Sequence, residues 1–139
     1  MPVIYDTAIS NNPIQRTIDA VSASNSVTTG ASGNVAATAT TATITATATT
    51  TAYITGFEVT GAGATAASVI LVTVTGLKGG TATYNLVIPA GVTTAINPLI
   101  ISFPEAMSAS AVNTSIVVNV PSFGTGNTNA SVVAHGYQL

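Results

Sequence analysis

From residue 52 onward the chain alternates apolar and polar side chains in short runs, separated by clusters of glycine, proline and asparagine. A period of two marks strands that keep one face on a core and the other outward. Residues 53–60 place Tyr53, Phe57 and Val59 on one face with Thr55. Residues 68–75 carry Ile70, Val72 and Val74 on one side and Val69, Leu71 and Thr73 on the other, so this strand is expected to be covered on both faces. After a turn through Gly76, Lys78 and Gly80, residues 81–88 alternate again, with Tyr84, Leu86 and Ile88 directed inward. Pro98 cannot donate to a ladder and marks an edge, a strand start or a bulge, followed by core-facing Leu99, Ile101 and Phe103. Residues 104–113 read as an excursion of small residues. Residues 114–120 then set Ile116, Val118 and Val120 against Val117 and Asn119. The sequence SFGTGNTN is a loop, and a last strand over residues 130–139 opposes Val132, Ala134 and Gly136 to Val133, His135 and Tyr137. Ending on a strand ties that end of the chain into a sheet.

Upstream the pattern changes twice. Residues 29–51 are almost wholly Gly, Ala and Thr, with Val35 and Ile44 the larger side chains. Strict Ala/Thr alternation puts methyls on one face and hydroxyls on the other, which predicts a first strand over residues 40–46. Regular Thr ladders can match an ordered surface such as ice, but this tract is short and is not a repeated face. Residues 1–28 hold scattered apolar side chains and no core of their own. Ile14, Ile18 and Val21 share a helical face behind Pro13, a run too short to stand alone. This segment reads as an extended arm whose apolar residues dock elsewhere, with Ile4, Tyr5, Ile9, Ile14, Arg16 and Ile18 as the docking candidates. The expected organisation is an arm over residues 1–33 and one domain over residues 34–139. Short strands with turns every eight to twelve residues predict an all-β antiparallel sandwich or jelly roll of seven to eight strands.

Charge sharpens the picture. The 139 residues include two basic and four acidic side chains, 4% of the chain, where about 25% is ordinary for globular proteins. A freely diffusing monomer keeps itself apart from its copies with mixed surface charge, so this deficit points to an exterior covered by sister subunits or a larger surface. Two basic residues cannot neutralise a run of phosphates, which argues against nucleic-acid binding. The longest strongly apolar stretch, residues 69–74, is far short of the ~20 residues of a membrane-spanning helix. No basic region followed by an apolar run opens the chain, so no secretory signal is expected. Catalysis needs convergent titratable groups, and His135 is the single imidazole. A serine triad would have to draw on Asp6 or Asp19 in the arm, no Gly-x-Ser-x-Gly elbow occurs, and Glu58 and Glu105 read as separate solvated or Lys-paired carboxylates. One His and no Cys do not build a zinc site, and the glycine-rich turns lack the Lys and Ser/Thr of a phosphate loop. The reading is a non-enzyme with no cofactor and no metal.

The phrases AYITGFEVTGAGATAASVILVTVTGL (residues 52–77), IPAGVTTAINPLIISFP (residues 88–104) and VPSFGTGNTNASVVAHGYQL (residues 120–139) resemble small Thr-rich phage virion proteins. The general build resembles phage capsid cement or decoration proteins. The likeness covers residues 52–139. It implies a β-sandwich that assembles as a homotrimer, binds the major capsid protein on the outer surface of the head, and reaches between capsomers with its arm. The competing expectation is a tail-fibre or head-fibre tip that binds host-surface glycan. Sugar sites use exposed aromatics, and Phe123 in the SFGTGNTN loop is the candidate contact residue for that role, the equal alternative being that it plugs the end of the sandwich.

Overall fold

The computed structural model of the chain describes residues 28–139, which form eight strands: β1 (Thr28–Ala31), β2 (Thr40–Ile44), β3 (Ala52–Gly61), β4 (Ser68–Leu77), β5 (Gly80–Ile88), β6 (Leu99–Ser108), β7 (Ile116–Val120) and β8 (Ala130–Gln138). They make two four-stranded sheets in the orders β1-β8-β3-β6 and β2-β7-β4-β5, with antiparallel pairing throughout. First pairs with eighth, second with seventh, third with sixth and fourth with fifth, and successive pairs lie in opposite sheets. This is one long ribbon with its tip at the β4–β5 turn, rolled into a sandwich: the jelly roll. The alternation of the sequence is what drives the rolling. In β7 the inward Ile116, Val118 and Val120 are fully buried while Val117 and Asn119 are not, and β8 buries Val132, Ala134 and Gly136. The core is completed by Ile44, Ile54, Phe57, Val59, Val72, Val74 and Ile88 from the remaining strands.

Four expectations need correction. The paired body begins earlier than residue 34: β1 pairs with β8, Ser32 Oγ accepts from Val132 N at 3.0 Å, and Val35 exchanges two backbone bonds with Ala130 at 2.9 Å. Residues 28–33 therefore belong to the sheet, and the rest of the expected arm, its short helix included, lies outside the described residues. Tyr53 does not share a face with Phe57. An extra residue, Thr55, sits in β3 where Ile54 opposes Gly136 and Gly56 opposes the adjacent His135, and this bulge reverses the parity of the strand. Ala52 and Ile54 point inward before it, Phe57 and Val59 after it, and Tyr53 points out.

The expected excursion over residues 104–113 is in its first half the continuation of β6. Residues 103–106 bow out between the Gly56–Ser102 and Ile54–Met107 pairs, and Pro104 is tolerated because β6 is an edge strand. Finally, β4 is covered on one face alone: Val72 and Val74 are buried, whereas Val69 and Leu71 stand exposed. The C-terminal end is tied in as expected, Leu139 and Thr51 exchanging backbone bonds of 3.0 and 2.6 Å.

Candidate interaction surfaces

The sheet β2-β7-β4-β5 contains no charged residue on any of its four strands. Register fixes what its outer face presents. Val69 lies opposite Val87, and Leu71 opposite Asn85. Next comes a row running Thr41, Asn119, Thr73, Thr83, and then one of Thr43, Val117 and Thr75. The threonines of the low-complexity tract thus join those of β4 and β5 in one field, a repeated face that a reading of the tract in isolation misses. At one end of that field Val69, Leu71 and Val87 are 62%, 53% and 64% exposed, a contiguous apolar patch of the kind that marks contact surfaces.

The outer face of the other sheet is different in kind. Glu58 on β3 and His135 on β8 approach to 3.8 Å (Oε1 to Nε2), both about half exposed, so Glu58 is His-paired rather than Lys-paired. Beside them, Tyr53 and Tyr137 stack across the two strands with centroids 4.9 Å apart and rings 11° from parallel. Each ring thereby spends one face on the other, a pairing that stiffens the β3–β8 contact. A shallow dish of about 330 Å³, lined by Thr55, Glu58, Ile100, Ser102 and His135, adjoins the pair. The Thr55 hydroxyl donates to the His135 carbonyl at 3.1 Å and not to the imidazole, so the pair has no hydroxyl nucleophile bonded to it from that side. Among the described residues no group of three His, Asp or Glu side chains stands close enough to share a metal ion.

Phe123, the candidate sugar contact, is 1% exposed. It is a core plug and is not available to stack on a ligand. Its ring lies against Gly61, where an added Cβ would fall 2.8 Å from the ring edge. The loop around it is pinned by Asn127, which is 2% exposed and whose Nδ2 donates to the carbonyls of Ala62 at 2.7 Å, Gly63 at 3.2 Å and Asn129 at 3.2 Å. A further bond, Thr65 N to Thr125 O at 2.9 Å, closes the seam between this loop and the β3–β4 connection. Asn127 was hidden in the sequence by looking like one more turn residue among glycines.

No family model, curated protein or solved structure matches this chain. The docking candidates Ile4, Tyr5, Ile9, Ile14, Arg16 and Ile18 lie outside the described residues. What the described body offers is therefore a charge-free sheet face with an apolar end, and a second face carrying the Glu58–His135 contact and one aromatic pair.

Proposed function

We propose that this is a structural virion protein, a phage capsid cement or decoration protein that assembles as a homotrimer and binds the major capsid protein on the outside of the head. The observation that carries the reading is the uncharged outer face of β2-β7-β4-β5 with Val69, Leu71 and Val87 exposed at one end. The jelly roll suits it, since that architecture recurs in viral capsid domains. Covering the three side chains stabilises a contact by ~1–2 kcal/mol each, given that about half of each is still in water. A few kcal/mol does not offset the freedom lost on association of a single copy. Three linked patches do better, because after the first has bound the others engage at high effective concentration. A trimer on a repeating lattice is the arrangement in which so weak a patch suffices, and no chemistry is required of it.

The test is direct. Capsids lacking the protein should lose DNA or break at lower temperature while still adsorbing to cells, and a Val69→Asp/Val87→Asp variant should fold, assemble and fail to bind capsids. Normal heat resistance with lost adsorption would instead favour the glycan-binding tip. With Phe123 buried, that second reading depends on the outward Tyr53 and Tyr137 beside the Glu58–His135 dish.

A further inference from the structure

The two long sides of the sandwich are not alike. On one side β1 and β2 close together: Gly30 is buried, and a Cβ there would run into the backbone of Thr43. On the other side, between the edge strands β5 and β6, the core shows through. Inward residues of the other strands are almost all buried, Ile70 of β4 being an exception, but here the inward-facing Ala82 and Tyr84 of β5 and Leu99, Ile101, Phe103 and Met107 of β6 are partly exposed. Phe57 forms the floor, in edge contact with Tyr84 at 5.2 Å and tilted against Phe103 at 6.4 Å. The slot widens toward the end of β5 into a groove of about 340 Å³ between Asn85–Val87 and Pro98–Leu99.

Its two rims differ. The β6 rim is blunted by Pro104 and Glu105 where the strand bows out. The β5 rim is nine residues long, with no proline and no charge, and its outer backbone groups have no strand partner among the described residues. An edge of that kind is a template for one more strand.

We propose that the slot receives the N-terminal segment, residues 1–27, of a second copy of this chain, added as a strand along β5. Three observations select this occupant. The segment joins the fold at Thr28 of β1, at the opposite edge of its sheet from β6, so its point of attachment lies on the side away from that molecule's own slot. At ~3.3 Å per extended residue its length amounts to ~90 Å, ample to reach a neighbour. It carries apolar Ile4, Ile9, Ile14 and Ile18 for the slot and Asp6, Arg16 and Asp19 for the rim. There Lys78, whose backbone bonds Ser108 at the far end of β6, and Glu105 have no ion-pair partner among the described residues. The proposal stands whether or not the surface being decorated is a phage head.

Because the chain has no cysteine, engineered ones are unique. Two full-length proteins with tags of different mass, one with a cysteine at the arm (Ile4→Cys, Ile9→Cys, Ile14→Cys or Ile18→Cys, each in turn) and one with Ala82→Cys, which faces the slot from β5, are co-expressed and mildly oxidised, and a protein carrying both cysteines in one chain is oxidised in parallel. The expected result is a disulfide-linked heterodimer for at least one arm position, at least tenfold more abundant than with Thr41→Cys on the closed side. Three results overturn the proposal: no cross-link at any of the four positions, equal cross-linking to Thr41→Cys, or cross-linking confined to single chains that carry both cysteines. The last would put each arm in its own slot. All of these readouts are independent of capsid binding.

Discussion

Replacing Phe123 with alanine separates a core plug from a contact residue. The ring is 1% exposed and packs against Gly61 under a loop pinned by Asn127, so its loss opens a cavity that the stapled loop cannot readily collapse into. Truncations of this kind cost about 3–5 kcal/mol, the transfer of the ring plus the void left behind. Against a total stability of ~5–15 kcal/mol for a domain, that is a large share. The melting temperature should fall by ~10–20 °C, taking ~3–5 °C per kcal/mol for a chain of this size. Phe123→Leu, which keeps most of the buried carbon, should cost ~1–2 kcal/mol. Denaturant titrations followed by circular dichroism, at one fixed chain concentration because assembly shifts apparent stability, give both values. An alanine variant within ~1 kcal/mol of the parent but defective in binding its target surface would refute the placement of Phe123 in the core.

Asn127→Ala removes the two amide hydrogens shared among the carbonyls of Ala62, Gly63 and Asn129, of which Asn129 keeps its bond from Ala62 N, for an expected loss of ~2–3 kcal/mol in the same titration. Asn127→Asp should do no better, since a carboxylate has no amide hydrogens to give. Gly136→Ala should be among the most damaging small changes, because the new methyl would meet the Tyr53 carbonyl at the β3 bulge; loss of the β-sheet circular dichroism signal, or failure to accumulate as soluble protein, checks it. Binding through the uncharged sheet should change by less than about twofold between 50 and 500 mM salt in a capsid co-sedimentation assay, since there are no charges on that face to screen.

Strands β5, β7 and β8 were legible because alternation survives wherever a strand has one face on a core and no irregularity. Ile116, Val118 and Val120 illustrate this, as do Leu86 and Ile88. Tyr53 was misassigned because a bulge shifts parity by one and leaves no mark in composition; its cause, pairing with β8 across residue 55, spans most of the chain. Pro104 hid the second half of β6, since a proline is allowed in a strand when the missing donor faces an edge, and edges are a property of the sheet. Leu71 and Val69 gave a covered face by hydropathy alone, yet the single chain covers one face, and the remainder is an argument for assembly. For Phe123 the sequence left contact and plug equally open because it sits among glycines, and what buries it is a connection some sixty residues away. The threonine field likewise emerges from register, which brings Thr41, Thr73 and Thr83 into one row.

The nesting of strand pairs also predicts an order of assembly in time. The tip pair β4–β5 joins neighbours in sequence, whereas β1 must find β8, with Thr28 opposite Gly136. Closing short loops costs least entropy, so the expected order is growth from the tip outward with the β1–β8 seam closing last. During synthesis the early strands emerge long before β8 exists, and β1 waits without its partner until nearly the whole chain has been made. In a crowded polysome that waiting strand is surrounded by sister chains in the same unfinished condition. A protein rolled this way meets its copies before it has finished meeting itself.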